Sequence, residues 1–442
     1  MKHRDRQILN IALPSIASNI TVPLLGLVDV AITGHLGCAV YIGAIAVGAM
    51  IFNLVYWIFG FLRMGTSGVT SQAFGRRDLT EVTRLLVRSL VVALLVALLL
   101  LVFQNVLLRL MLFLINPTPD VVPLVATYFH ICIWGAPAML ALYGLTGWFI
   151  GMQNTRIPMV VAVVQNVVNI VASLAFVCFL DMKMEGVATG TVIAQYAGAI
   201  VALVFLVRHY GRLRRHFSAA GLLDRRALSR FFGVNRDIFI RTLFLVAVNL
   251  YFTSAGARQG AVMLAVNTLL MQLFLLFSYV MDGFAYAGEA VAGRYFGACN
   301  RAAFVDTVHR LFGWGALVTV LFTAVYASCG TAFLSLLTND ATVLRAAAEY
   351  FPWAVAIPIT GCAAFIWDGI FIGTTATRFM LLSSALASAG FFAVTIGLWS
   401  ALGNHALWLA MLVFLAMRGL AQTVVYVLKW GNRRFDKPSV GG

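Results

Sequence analysis

LLVRSLVVALLVALLLLVFQNVLLRLMLFL, residues 85–114, decides the class of protein. Between Arg88 and Arg109 it runs twenty residues without a charge. A stretch of about 18 or more mostly apolar residues reads as a helix that crosses a bilayer. Its Leu, Val and Ala follow one another instead of alternating with polar residues, which argues against the strands of a membrane barrel. Similar stretches recur along the whole chain. The 442 residues are 62% hydrophobic and 11% charged, against roughly 45–50% and 25% in soluble domains. So few charges could not cover a water-soluble protein of this size. The same figures exclude disorder and a disulfide scaffold. Cys38, Cys132, Cys178, Cys299, Cys329 and Cys362 stand singly, with no CxxC pair, and fit small apolar helix positions better than a metal site. The N-terminus is basic from Lys2 to Arg6, but no small-residue cleavage site follows, and the apolar run contains Pro14, Pro23 and Asp29. It reads as an uncleaved first helix.

Breaks at charges, Gly and Pro predict twelve spans: 8–34, 39–62, 85–114, 121–149, 157–180, 186–207, 238–257, 261–288, 311–337, 343–373, 379–401 and 405–428. The fold expected is therefore an all-α polytopic membrane protein with no soluble domain. With the N-terminus inside, all but four of the 31 Lys and Arg lie on the inner side; the four are Arg109, Lys183, Arg258 and Arg345. Basic residues concentrate in cytoplasmic loops, so both termini are expected in the cytoplasm, and the membrane is expected to be the plasma (inner) membrane if the protein is bacterial. That distribution, rather than nucleic acid, accounts for the net charge of +15.

One long polar connection, 208–237, falls at mid-chain, which prompts a search for a repeat. A shift of 222 residues aligns Phe74-Gly75 with Phe296-Gly297, Arg88 with Arg310 and Tyr128-Phe129 with Tyr350-Phe351. It also aligns Ile150-Gly151 with Ile372-Gly373, and Thr155-Arg156 with Thr377-Arg378. Six helices is an even number, so the copies enter the membrane from the same side, as two parallel six-helix repeats. The domains expected are an N-lobe, 1–210, a basic cytoplasmic linker, 211–237, and a C-lobe, 238–442.

Four acids remain once the loops on the two sides are assigned: Asp29, Asp282, Glu289 and Asp368. An ionisable group at membrane depth costs at least about 2.5–3.5 kcal/mol, so it faces a polar cavity, pairs, or binds something. No basic residue lies deep in the same spans, so some of the four are expected to line a cavity. Asp29 reads as a carboxyl that exchanges a proton or a cation; the alternative is an acid hydrogen-bonded between helices. Asp282 and Glu289 are seven apart, on one helix face, and a structural role is as good a reading for them and for Asp368. Asn166, Asn169 and Ser173 form one polar stripe on the fifth span, which could equally bond helices together. Thr189 and Thr191 open the sixth. No HExxH, GxxxxGK[ST] or GxSxG occurs, so neither a metalloprotease, ATP-driven transport nor a serine hydrolase has support, and no enzyme is expected.

Five segments carry a resemblance: LPSIASNITVPLLGLVDVAITGHLG (13–37), RMGTSGVTSQAFG (63–75), MDGFAYAGEAVAGRYFG (281–297), WDGIFIG (367–373) and LGNHALWLAMLVFLAMRGL (402–420). With them the chain resembles the multidrug and toxic compound extrusion (MATE) family, and its DinF-like branch most, over nearly its whole length. The resemblance implies two six-helix lobes around a central cavity and alternating access driven by a proton or sodium gradient. It implies that Asp29 is the cation-coupling acid of the N-lobe, with Asn169 and Thr191 as polar partners and Pro14 as the point where the first helix bends. Asp282, Glu289 and Asp368 match acidic positions of the C-lobe. Ser173 stands where many relatives carry a second Asp, which weakens sodium binding more than protonation; Na⁺ at Asp29 is the alternative to H⁺. The seventh helix lacks the acid of another branch. The function expected is a cation-coupled antiporter, H⁺ before Na⁺, that exports amphipathic or cationic small molecules. It would need no cofactor besides the coupling ion and would work as a monomer in the lipid bilayer. Two alternatives are a flippase of lipid-linked precursors or polysaccharide exporter of the same superfamily, and a non-transporting receptor.

Overall fold

The computed structural model describes residues 3–34, 39–180, 182–338 and 340–431. Of residues 22–34, 39, 42, 329–331, 333, 336, 337 and 431 it describes the backbone alone. No strand occurs among the described residues. The helices are α1 (His3–Gly34), α2 (Ala39–Phe59), α3 (Phe61–Gly75), α4 (Leu79–Val102), α5 (Gln104–Ile115), α6 (Val122–Cys132), α7 (Ala136–Gly151), α8 (Arg156–Phe179) and α9 (Met184–Tyr210). After a 3₁₀ segment, Gly211–His216, come α10 (Arg225–Ala257), α11 (Ala261–Ala287), α12 (Gly293–Gly297), α13 (Arg301–Leu337), α14 (Ala341–Gly373), α15 (Thr377–Leu402) and α16 (Asn404–Tyr426). A π-turn, Gly288–Ala292, joins α11 to α12. From Gly43 onward 11 stretches are long and apolar enough to span a bilayer. With α1 before them the expected twelve are complete.

Several helices outrun the spans expected from charge. α4 begins at Leu79 rather than 85, α13 at Arg301 rather than 311, and α10 at Arg225 rather than 238. Lipid limits only the apolar stretch, whereas a helix starts where its first N–H groups find a cap. The Asp78 carboxylate accepts from Glu81 N (2.9 Å) ahead of α4, and the Asn300 amide oxygen accepts from Ala303 N (3.0 Å) ahead of α13. α10 thus takes up the second half of what reads in sequence as one polar connection. The stretch 85–114 is divided at Phe103 between α4 and α5.

The repeat is written in the helix boundaries. Adding 222 to the starts of α1, α2 and α4 gives the starts of α10, α11 and α13; adding it to the ends of α3, α5 and α7 gives the ends of α12, α13 and α14. The capping residues Asp78 and Asn300 are the same distance apart. So are two pairs of non-glycine residues in the left-handed region, Arg77 (φ 60°) with Cys299 (φ 54°) and Gln153 (φ 63°) with Thr375 (φ 53°). The closest helix approaches repeat as well. A Cβ on Gly147 would lie 2.2 Å from the Arg63 carbonyl oxygen, and one on Gly369 would lie 2.1 Å from that of Ala285. Glycine is required there because backbone occupies the place of a side chain.

By contacts the chain forms two compact units: one is Ala17–Phe231, and the other joins the residues up to Ile16 with those from Phe232 onward. Within the second unit, Arg4 pairs with Asp306, Arg310 with both Asp306 (2.9 Å) and Asp5 (2.8 Å), and the Tyr295 hydroxyl donates to Gln7 (2.9 Å). These bonds hold the start of α1. In the first unit the repeat partner of Arg310, Arg88, reaches Glu81 (2.6 Å) and the carbonyls of Leu222 and Gly221 (2.8 and 2.7 Å).

Candidate functional site

In the first unit the polar stripe of α8 is buried, with Asn169 2% exposed and Ser173 0%. Gly190 lets α9 come close enough that a Cβ there would lie 2.5 Å from Ser173 Oγ. Asn169 Nδ2 donates to Thr191 Oγ1 (3.1 Å), whose own proton goes to the Val187 carbonyl (3.0 Å). Thr191 can therefore only accept from Asn169, which fixes the amide with its oxygen turned away. Asn169 Oδ1 and Ser173 Oγ have no hydrogen-bond partner among the described residues. A buried polar atom left unpaired costs about 1–3 kcal/mol, so two on one stripe ask for a ligand. One turn earlier, Asn166 Nδ2 donates to the Thr21 carbonyl of α1 (3.3 Å). The stripe thus faces α1. Pro14 lies half-buried inside α1. The side chains of Asp29, Thr33 and Pro23 are outside the described residues.

The second unit holds a cluster that the sequence does not announce. Asp368 Oδ2 accepts from both Arg241 and Arg418, and Gln422 Nε2 donates to Oδ1 (2.9 Å). All four side chains are buried. Asp282 is near enough to act on Arg241 electrostatically. Asp368 therefore has its bases, supplied from other spans, α10 and α16, and is corrected from a candidate for lining a cavity to a paired carboxylate. Arg241 and Arg418 sit where the charge pattern reads as cytoplasmic ends, but α10 and α16 carry them into the core. Arg418 is further covered by Phe414, 5.3 Å from its guanidinium. Glu289 is 1% exposed, on the π-turn, and like Asp282 it interacts with other residues. No group of three or more His, Cys, Asp or Glu among the described residues could hold a metal ion.

Both clusters occupy points where the repeat is broken. At the 222-residue shift Asp29, Asn169, Ser173 and Thr191 correspond to Tyr251, Phe391, Thr395 and Val413. Arg241, Asp368, Arg418 and Gln422 correspond to Asn19, Thr146, Tyr196 and Ile200. The helices are shared, and the chemistry at their centres is not. This was the signal available in sequence for Arg241 and Arg418: charged residues whose partners in the other lobe are neutral.

Comparison with known proteins agrees with this architecture. The MatE family model matches residues 14–175 and 238–396, one segment in each copy of the repeat. DNA damage-inducible protein F of Escherichia coli (strain K12) is 38% identical over 432 residues, 97% of this chain and 93% of that protein. Multidrug and toxin extrusion protein 2 of Mus musculus is 22% identical over 426 residues, 94% and 73% of the two. The Vibrio cholerae MATE transporter VcmN in the bent form superposes with a TM-score of 0.84 at 18% identity, covering 97% of each chain. At that identity the superposition speaks for the fold, whereas the two matched segments and the full-length likeness to the E. coli protein speak for descent. The chain belongs to the MatE family of membrane transporters.

Proposed function

We propose that this transporter is a proton-coupled antiporter in which Asp29 carries the proton, against Asn169 and Ser173. The observation that carries the reading is the pair of unsatisfied oxygens, Asn169 Oδ1 and Ser173 Oγ, on the stripe of α8 that meets α1. Asp29 at that stripe is supported in two ways. α1 and α8 belong to the first and fifth spans, which run in the same direction through the bilayer. From the Asn166–Thr21 bond, Ser173 is seven residues on and Asp29 eight, a rise of roughly 10–12 Å along each helix. The second argument is the repeat: the counterparts of Asp29 and Asn169 are Tyr251 and Phe391, whose rings meet edge to face, 6.0 Å apart.

A protonated carboxyl would donate its O–H to Asn169 Oδ1; an ionised one would accept from Ser173 Oγ. Each protonation state therefore has one partner in the cluster. Sodium fits less well, because the cluster adds only neutral oxygens to a single carboxylate. In the cycle we infer, ionised Asp29 favours loading of substrate from the cytoplasm and protonation from outside releases it. A charge crossing about 100 mV is worth about 2.3 kcal/mol, so a force of ~150 mV supports a gradient of a few hundredfold. The substrates inferred are amphipathic cations or neutral compounds. In support, the deep arginines Arg241 and Arg418 both pair with Asp368, and Asp282 acts electrostatically on Arg241. No uncompensated basic cavity for a phosphate is left there, which weighs against a lipid-precursor flippase. The positive-inside count supports cytoplasmic termini, and two lobes in one chain make a monomer sufficient. Dye export from everted vesicles tests the coupling site: Asp29→Asn is expected to abolish export driven by a proton gradient. Unchanged export would remove the proposal.

A further inference from the structure

Where α9 leaves the membrane span, the first unit holds a cavity of about 740 Å³. Its two sides differ. One wall is apolar, from Leu86 and Val87 of α4 and Leu206 and Val207 of α9; the rim is Arg208, Arg212, Arg214 and Arg215, with His209. No carboxylate lines it. Its floor is Trp148, which is fully buried and donates to the Val82 carbonyl (2.9 Å), and Tyr210, whose ring stands edge-on to Trp148 at 5.0 Å. The Tyr210 hydroxyl in turn accepts from Asn154 (3.0 Å).

The four arginines have no ion pair or side-chain hydrogen bond among the described residues. Two arginines packed close by do find partners: Arg88 takes Glu81 and the linker carbonyls, and Arg84 the carbonyls of Ser218 and Ala220. Four unpaired guanidiniums on one cavity call for an anion, and a guanidinium fork matches phosphate oxygens in particular. The apolar side says which phosphate. Val207, 69% exposed, continues a row of exposed apolar residues on α9 that includes Ile200, Leu203 and Val204. On the following connection Phe217 (42% exposed) and Leu223 (80% exposed) stand among charges with their apolar surface uncovered. Water would be a poor neighbour for these side chains, and a bilayer surface a good one.

We infer that this cavity is a binding site for an anionic phospholipid. The phosphate sits among Arg208, Arg212, Arg214 and Arg215, and the acyl chains run along Leu203 and Val207 of α9. Basic pockets at the ends of membrane helices take acidic lipid headgroups in this way. The lipid would fasten the 3₁₀ segment Gly211–His216 beside the linker loop that Arg84 and Arg88 already grip. The inference needs the chain to span a membrane, and does not depend on the coupling ion.

Native mass spectrometry of the full-length transporter tests it, with phosphatidylglycerol titrated against phosphatidylcholine. Wild type is expected to retain phosphatidylglycerol at least tenfold more tightly than phosphatidylcholine. Joint replacement Arg208→Gln, Arg212→Gln, Arg214→Gln and Arg215→Gln should remove that preference. These side chains are exposed, so the variant should elute and melt as wild type does. Arg225→Gln with Arg226→Gln, outside the cavity, should leave the preference intact. Retention of phosphatidylglycerol by the fourfold variant would overturn the assignment. So would an equal loss in the Arg225/Arg226 control, which would indicate surface charge alone. Displacement of the lipid by an equimolar amount of pyrophosphate would overturn it too, in favour of a soluble phosphate.

Discussion

Replacing Asp368 with Asn removes the carboxylate that pairs with both buried arginines. Side-chain exposure in this cluster is 6% for Arg241, 6% for Arg418 and 10% for Asp368, so water cannot replace the lost carboxylate. Breaking a buried pair by removing one partner costs about 3–5 kcal/mol, a large part of the roughly 5–15 kcal/mol by which proteins are stable. The repeat supplies a neutral version of the same place: Asn19, Thr146 and Tyr196 in the first unit. The triple variant Arg241→Asn, Asp368→Thr, Arg418→Tyr deletes all three charges together and is expected to be more stable than Asp368→Asn alone. Melting of the purified protein in detergent, followed by size-exclusion chromatography after heating, measures this order. If Asp368→Asn melts with wild type, or below it by no more than the triple variant does, the ion cluster does not hold the second unit together. A structural role also implies that folded Asp368→Asn protein keeps the ion preference of wild type.

Ser173→Asp places a second carboxylate beside Asn169 and is expected to make transport respond to sodium; flux under an imposed sodium gradient, compared with wild type, checks this. Gly147→Ala and Gly369→Ala each put a Cβ within 2.2 Å of a backbone oxygen. Overpacking of that kind costs about 1–3 kcal/mol or more, so both variants should melt earlier than wild type and by similar amounts. Arg88→Gln loses the bonds to Leu222, Gly221 and Glu81. Limited trypsin digestion after Arg225 and Arg226 should then be faster than in wild type.

The twelve spans were legible because lipid imposes a length and a composition on every crossing, and no other constraint in the chain repeats so often. The 222-residue repeat was legible from a handful of Gly, Arg and aromatic matches, since these residues sit at helix ends and close approaches where substitution is costly. Gly147 and Gly369 show why: the same backbone oxygen, 222 residues on, excludes a side chain at both. Helix starts were less legible, because charge marks the edge of lipid and not the end of a helix. The same confusion hid Arg241 and Arg418. Both were counted with the cytoplasmic charges, although each falls inside a predicted span, 238–257 or 405–428, and α10 and α16 deliver them to Asp368. Asn166, Asn169 and Ser173 were visible as a polar stripe and Thr191 as a polar residue of the next span, but only the hydrogen bonds reveal that Thr191 orients Asn169 and leaves its oxygen open.

The claim that protons drive this transporter is tested most directly in proteoliposomes holding the purified protein. Dye movement would be followed under an imposed proton gradient, and separately under an imposed sodium gradient of equal size. Flux is expected to follow the proton gradient, to be indifferent to sodium, and to disappear in Asp29→Asn. Flux that follows sodium in wild type, or proton-driven flux that survives in Asp29→Asn, would contradict it.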